Sequence, residues 1–280
     1  MLFNPPQSWG MRISNTSAQR ISAWWGTPVT PGVAPSFGSW ATLIAGSSVP
    51  SDVYEISILV HAGFTSATTR NVLMDIGIDP AGGTSFTATI PYLMCGHAGS
   101  HNAGAPIFYR FPLHIPAGAS IGARAMGTVA TAFYVSVTAL GKPRNPDAIC
   151  CGTKVVSFGE TTSSATGTAV TAGTTSEGAW TQLGSSLAVP LWWWQVGITD
   201  TDTTMTSQGY LLDLGIGDAS NKRLALLDVY VSFGASETIF NSCATQSGAL
   251  QAAVGQNVYG RVQCAGTADS ALSMMAWGLG

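Results

Sequence analysis

The residues with the clearest capacity for chemistry lie between positions 95 and 101, where Cys95, His97 and His101 are close together. Thiolate and imidazole groups are zinc ligands, so these three residues could hold a metal ion if a fourth ligand came from elsewhere. The segment is rich in glycine, and the second half of the chain contains no histidine. The sequence therefore favours a polar loop over a metal site here, and we expect no cofactor.

Two carboxylates attract attention because each interrupts an apolar segment of matching sequence. Residues 73–78 read LMDIGI and residues 211–216 read LLDLGI. An apolar string of this kind predicts a strand buried on one face, with the glycine at a tight packing point or a bulge. Two copies of one string also indicate an internal repeat, which changes how every other residue is interpreted.

The repeated carboxylates have repeated cationic partners. Asp75 and Asp213 are equivalent between the two strings, and Arg124 and Arg261 are equivalent further along the chain. Because an unpaired carboxylate is costly to bury, we predict an Asp75–Arg124 ion pair and an Asp213–Arg261 ion pair. The competing interpretation leaves each arginine in solvent.

Catalytic signatures are scarce in this sequence. It contains no Gly-x-Ser-x-Gly motif, no phosphate-binding loop and no dinucleotide fingerprint. Glycosidase chemistry needs two suitably placed carboxylates, and acidic residues are few. We therefore expect a protein that is not an enzyme.

The repeat extends well beyond one strand and keeps its order along the chain. Matching segments recur about 140 residues later, as in other tandem duplications with small loop insertions. The matched pairs are residues 36–40 (SFGSW) with 176–180 (SEGAW), Pro50 with Pro190, residues 118–124 (GASIGAR) with 255–261 (GQNVYGR), and residues 139–141 (ALG) with 278–280 (GLG). We interpret the chain as a tandem duplication of one domain.

The elements that carry these residues are short strands. In the first copy the predicted strands are residues 40–44, 53–61, 71–79, 85–93, 107–114, 120–126 and 133–139. They are rich in β-branched and aromatic residues and are separated by Gly, Pro, Ser and Asn, and no stretch has a helical period with caps. The sequence predicts an all-β fold of two tandem antiparallel β-sandwich or jelly-roll domains.

The duplication divides the chain into four parts. Residues 1–35 are proline-rich with few periodic apolar runs, and we interpret them as an extended N-terminal arm. Residues 36–141 form the first β-sandwich, residues 142–175 a linker, and residues 176–280 the second β-sandwich. The linker includes a low-complexity run of Ser and Thr and one segment with the composition of a strand.

Two groups of tryptophans are candidate assembly residues. Trp24 and Trp25 lie in the arm, which would pack on its own first domain or on a neighbouring subunit. Trp192, Trp193 and Trp194 are consecutive, and successive side chains on a strand face opposite ways, so all three cannot enter one core. The favoured interpretation is an inter-domain or inter-subunit contact. A strand buried on both faces within one domain and a stacking platform for a sugar or base remain alternatives.

Charge is unusually scarce, at 9% of residues against about 25% in typical globular proteins. Soluble monomers usually rely on surface charge, so we expect other subunits to cover part of this surface. The absence of a basic cluster excludes the electrostatic footprint of a nucleic-acid-binding protein. No apolar run is long enough for a transmembrane helix, and we expect no membrane insertion. The five cysteines match no zinc or disulfide pattern.

With the repeat laid out, both halves resemble a module found in virion proteins of tailed bacteriophages. The resemblance rests on an early tryptophan (Trp40 and Trp180), the repeated Leu-x-Asp-x-Gly-Ile string, and the turn at residues 115–121 followed by Arg124. The second copy departs at that turn, where residues 253–255 replace Pro-Ala-Gly by Ala-Val-Gly. The resemblance covers about three quarters of the chain and involves residues that shape the fold.

This resemblance implies a structural virion protein of jelly-roll type, either a tail appendage, a tail-tip component or a capsid decoration. The subunit would assemble through its arm and the faces of its β-domains, with other virion proteins and with its own copies, a trimer being the favoured oligomer. The N-terminus lacks the basic region and apolar block of a secretory signal, which predicts synthesis in the host cytoplasm. The alternative is a carbohydrate-binding module that recognises a host surface glycan through residues 192–194.

Overall fold

The computed structural model describes residues 12–15, 26–61, 71–95, 107–141, 151–200, 208–233, 250–264, 266 and 272–280. In these residues the regular structure is all β, apart from one short 3-10 helix at Gly46–Ser48. The predicted all-β fold class is confirmed. No helix in the described part of the chain is long and apolar enough to cross a membrane.

The described residues of the first half form ten strands. They are β1 (Arg12–Ser14), β2 (Thr27–Val29), β3 (Gly32–Val33), β4 (Ala41–Ile44), β5 (Val53–His61), β6 (Val72–Asp79), β7 (Thr87–Met94), β8 (Ile107–Phe111), β9 (Ser120–Gly127) and β10 (Phe133–Gly141). Each of the seven strands predicted in this half is present, with ends that differ by a few residues. Their β-branched and aromatic composition and the turn residues between them located these strands, and burial alternates along β8 whereas β6 is buried on both faces.

The part of the second half that the structure describes forms eight strands. They are β11 (Val155–Phe158), β12 (Thr168–Ala169), β13 (Thr181–Gly184), β14 (Trp193–Asp200), β15 (Gln208–Gly217), β16 (Lys222–Phe233), β17 (Asn257–Cys264) and β18 (Leu272–Leu279).

The strand order of the first half is that of a jelly roll, in which two four-stranded antiparallel sheets face each other. One sheet has the order β2–β10–β5–β8, and the other has the order β4–β9–β6–β7. Strand β1 lies beside β2 on the same edge of β10, and β3 pairs in parallel with β9. Chain neighbours β4 and β5, and likewise β9 and β10, lie in opposite sheets, so the apolar faces of both sheets enclose one core.

The second half repeats this order strand by strand. Strands β11 and β12 both pair with β18, which also pairs with β14, and the opposite sheet has the order β13–β17–β15–β16. The counterpart of β8 would fall in residues 234–249, which lie outside the described part of the chain. The jelly-roll prediction for the two halves is therefore supported by their own strand pairing.

Strand pairing places the start of each repeat unit earlier than the sequence matches did. The described part of the predicted arm, residues 12–15 and 26–35, supplies β1, β2 and β3 to the sheets of the first jelly roll. In the same way, residues 155–169 of the predicted linker supply β11 and β12 to the second. Each of these strands is too short to show a clear period, and its partner lies about 90 to 130 residues away. The sequence indicated the strand-like segment of the linker that forms β11, but not the strands with which these segments pair.

A matched parallel bridge extends the equivalence. Gly32 pairs in parallel with Met126, and Gly173 pairs in parallel with Gln263 at the corresponding place in the second jelly roll.

Two apolar cores fill the molecule, and one sheet contributes to both. We name the sheet of β11, β12, β14 and β18 the shared sheet. One of its faces, including Trp194 and Met274, belongs to the core of the second jelly roll. The opposite face, including Trp193, Met275 and Trp277, packs with the residues of the first jelly roll in a single cluster. Strand β18 is consequently buried along its whole length.

Candidate functional site

The repeated carboxylate of the first jelly roll is buried and fully engaged. Arg124 Nε lies 3.0 Å and Nη2 2.9 Å from Asp75 Oδ2. The backbone N–H of Tyr92 donates to Asp75 Oδ1 at 3.0 Å, from a bulge where Tyr92 has a φ of 53°. Burial raises the pKa of Asp75 above its ordinary value, because desolvation outweighs the hydrogen bond from Tyr92 and the ion pair with Arg124.

The second jelly roll contains the same cluster. Arg261 Nε and Nη2 contact Asp213 Oδ2 at 2.8 and 2.7 Å. The backbone N–H of Asp228, which has a φ of 52°, donates to Asp213 Oδ1 at 2.8 Å. Arg261 also forms an ion pair with Glu177, which has no charged equivalent in the first copy. Both ion pairs expected from the repeat are thus present in the structure.

A tryptophan packs against both the arginine of the cluster and the glycine of the repeated string. In the first copy, Arg124 lies over the rings of Phe37 and Trp40, at 4.2 and 4.7 Å from their centroids. A Cβ on Gly77 would lie 2.5 Å from Trp40, so only glycine leaves room for this ring. The cluster links strands β4, β6, β7 and β9 on the outer surface of one sheet. The buried carboxylate of Asp75 is held in this cluster by the ion pair and the backbone hydrogen bond.

We expect Asp75→Ala to lower the free energy of unfolding by about 2–4 kcal/mol, because it leaves Arg124 and the N–H of Tyr92 without their acceptor. Arg124→Ala should cost less, since part of that side chain already reaches solvent. Chemical denaturation of both single variants and the double variant measures the coupling between them. Strictly additive costs would contradict the pairing, and Val189→Ala, at an exposed position outside the cluster, serves as the control.

The three consecutive tryptophans lie at the junction of the two jelly rolls. Trp194 is completely buried in the second core, where its Nε1 donates to the carbonyl oxygen of Leu250 at 3.0 Å. Trp193 points to the other face and packs on Phe111 of β8, with 5.3 Å between ring centroids. Trp192 is half-buried against the first core. The triplet therefore makes an inter-domain contact, which is the arrangement that the sequence favoured.

This burial corrects the alternative of a sugar platform for two residues of the triplet, Trp193 and Trp194. Only 9% of Trp193 and none of Trp194 is exposed. A sugar stacks on an accessible ring face, and both of these rings have their faces covered by protein. The sequence indicated that the three rings lie on two opposite faces of a strand. It did not indicate that residues of this same chain cover both faces.

The outer face of the shared sheet rests on the two edge strands β7 and β8 of the first jelly roll. Trp277 meets Tyr109 edge-on, at 5.5 Å between centroids and an interplanar angle of 81°. Gln195 Nε2 donates to the carbonyl oxygen of Arg110 at 3.2 Å, which satisfies part of the edge of β8. Thr199 Oγ1 lies 3.8 Å from Met94 Sδ on β7. These contacts join the two jelly rolls through aromatic packing and hydrogen bonds.

The second jelly roll has an equivalent edge strand, β16, but the described residues place no sheet upon it. The bulges align Tyr230 with Met94, and the two have equivalent partners, Leu211 and Leu73. Met94 is 1% exposed under the shared sheet, whereas Tyr230 is 66% exposed. Leu224 and Leu227 on the same strand are also exposed, which adds to an apolar surface of the kind that marks interaction sites.

A shallow cavity of about 290 Å³ lies beside Tyr230. Its lining residues are Gly209, Leu211, Tyr230, Gln263 and Cys264. We name this cavity the apolar groove of the second repeat. None of these five lining residues is charged, and the groove occupies the position that the shared sheet covers in the first repeat. No sequence pattern indicated this groove, because only the strand register, with its bulges, aligns Tyr230 with Met94.

Other predicted site residues fall partly outside the described chain. Trp24, Trp25, His97 and His101 lie outside it. Cys95 is buried, and its Sγ contacts the carbonyl oxygen of Leu93 at 3.4 Å. Within the described residues, no group of three or more His, Cys, Asp or Glu side chains could hold a metal ion.

No protein-family model and no curated protein sequence matches the chain. Among solved structures, the tandem CBM22-1–CBM22-2 domain of Paenibacillus barcinonensis Xyn10C aligns over 98% of this chain and 92% of its own, at 10% identity and a TM-score of 0.27. A chain of Sulfolobus turreted icosahedral virus aligns over 91% and 90%, at 9% identity and a TM-score of 0.30. The major capsid protein P2 of bacteriophage PM2 aligns over 91% and 97%, at 9% identity and a TM-score of 0.32. At such scores, the chain's own strand order defines its architecture.

Proposed function

We propose that this chain is a structural, non-enzymatic subunit of a tailed-bacteriophage virion, a tail appendage or a capsid decoration. The observation that carries the proposal is the surface of β16 and the apolar groove. The first jelly roll uses the equivalent surface for its tight contact with the shared sheet. In the second jelly roll no described residue covers this surface. A protein of this design is suited to repeated contacts within an assembly.

The composition supports the same role. Charged residues are only 9% of the chain, which is a low proportion for a freely diffusing monomer. In the two buried clusters the carboxylates and guanidinium groups form ion pairs that stabilise the folds. The sequence resemblance to virion modules of tailed bacteriophages involves these same cluster residues. Together these features favour a construction role over a chemical one.

The arm contributes differently from the sequence interpretation. The described residues of the arm supply strands to the first jelly roll. In this proposal the docking contacts of the arm are therefore made by residues 1–11 and 16–25, which include Trp24 and Trp25 and lie outside the described residues. In this proposal the partners are other virion proteins and further copies of the chain, and the protein is made in the host cytoplasm before incorporation.

The test is to purify particles of the phage that carries the gene and to identify their proteins by mass spectrometry. We expect this chain in washed particles at a fixed ratio to the major capsid protein, and antibody labelling to place it on the head or the tail. A host protein of similar abundance in the lysate is the control for contamination. Detection only in the lysate, with particles free of the chain, would contradict the proposed role.

A further inference from the structure

The junction between the two jelly rolls is asymmetric, because each jelly roll contributes a different surface to it. One partner is the pair of edge strands β7 and β8 of the first jelly roll. The other is the outer face of the sheet built on β14 and β18 of the second. The second repeat also has an edge strand, β16, and the first repeat also has the outer face of β5 and β8. The described residues place no second sheet on either of these two surfaces.

The unused face of the first repeat is identified by strand register. Gly197 pairs with Met275 in the shared sheet, and Leu59 pairs with Ser136 at the equivalent place in the first jelly roll. A Cβ on Gly197 would lie 3.5 Å from Met94 Sδ, so this point of the shared sheet is seated directly on the first repeat. Leu59 is therefore the residue that would be seated on Tyr230, the counterpart of Met94.

That face has an apolar end suited to the groove. Leu59 is half-buried and lies directly opposite Phe108 on β8, whose side chain is 41% exposed. The other end carries the Glu55–Arg110 ion pair, with both contacts at 2.5 Å. The matching position to Glu55 in the shared sheet is Trp193, which shows that the two faces have diverged. An interface centred on Leu59 and Phe108 leaves this ion pair at its rim, where it costs little desolvation.

We propose that a second copy of this chain occupies the apolar groove, with Leu59 and Phe108 of its first jelly roll packed on Tyr230 and Leu227. The copies then associate head to tail, and each contact repeats the geometry of the in-chain junction. Such a heterologous contact closes into a ring or continues as a line of jelly rolls. This inference rests on the proposed structural role and names the surface that carries it.

The experiment uses two variants of the full chain, Leu59→Arg on the face and Tyr230→Arg at the groove. Analytical ultracentrifugation should show the wild type in species larger than the 28.9 kDa monomer, and each variant as a monomer with its dissociation constant raised about tenfold or more. Because each variant keeps one intact surface, an equal mixture should form a dimer and nothing larger. Val189→Arg, at an exposed apolar residue away from both surfaces, should associate like the wild type.

Circular dichroism and denaturation check that the variants fold, and Phe108→Arg and Leu227→Arg provide a second pair at the same surfaces. A monomeric wild type overturns the inference, and so does a mixture of variants that remains monomeric. Loss of association only in Tyr230→Arg indicates a symmetric contact between two grooves and also overturns it. If every variant keeps the wild-type mass, the contact is wrong while the virion role, tested by particle composition, still stands.

Discussion

Replacing Trp277 by alanine is expected to lower the free energy of unfolding by about 4 kcal/mol and to loosen both jelly rolls at once. The side chain is completely buried and lies on β18, yet it belongs to the core of the first jelly roll, where it meets Tyr109. Its removal leaves a cavity at the junction and uncovers an edge strand. Denaturation measures the total loss, and amide hydrogen exchange shows where protection is lost.

Trp192→Ala is the matched control for this variant, because Trp192 is only half-buried at the same junction. Its cost should be clearly smaller. Exchange that increases in the second jelly roll alone after Trp277→Ala would contradict the shared core. A single unfolding transition in the wild type and two in the variant would support it most directly, since the junction is what couples the two halves.

Trp194→Ala is expected to cost about 4–5 kcal/mol, slightly more than Trp277→Ala, since it removes a fully buried ring and also the hydrogen bond to the carbonyl oxygen of Leu250. Phe158, whose ring centroid lies 6.0 Å from that of Trp194, loses its neighbour as well. All these contacts are within the second core. Increased exchange should therefore be concentrated in the second jelly roll.

The neighbouring residue provides the comparison. Trp193→Ala removes a ring that packs on Phe111 of the first jelly roll, and we expect about 3 kcal/mol with increased exchange around β8. Two adjacent substitutions would thus affect opposite halves of the molecule. If both variants produced the same exchange pattern, the division of the triplet between two cores would be wrong.

The sequence predicted those features whose information is local. Strand alternation and turn residues located the seven principal strands of the first half, and the repeated string paired Asp75 with Arg124 because both recur at matching places. A buried acid among apolar residues needs a partner, so the ion pair followed from physical chemistry and the repeat together. The bulge at Tyr92, which adds a backbone donor to the cluster, has no sequence signature that distinguishes it from an ordinary strand.

Features that depend on distant partners were out of reach. The linker segment that forms β11 has the composition of a strand, but its sequence does not indicate that it pairs with β18. A weak signal for an earlier start of both repeats did exist, since Thr-x-Gly followed by Ser-x-Gly occurs at residues 30–38 and again at 171–178. In both copies the second glycine approaches the carbonyl oxygen of the threonine, which explains why these residue types recur.

The shared sheet also has a consequence for the order in which the protein can be completed during synthesis. The first core contains Met275, Trp277 and Leu279, and β18 leaves the ribosome after every other described strand. Domains at the start of a chain usually finish folding while the remainder is still being translated. In this chain the first jelly roll stays incomplete, with its edge strands β7 and β8 uncovered, until β18 has been synthesised. A premature stop codon before β18 would therefore damage both halves, because both cores need the residues of this strand.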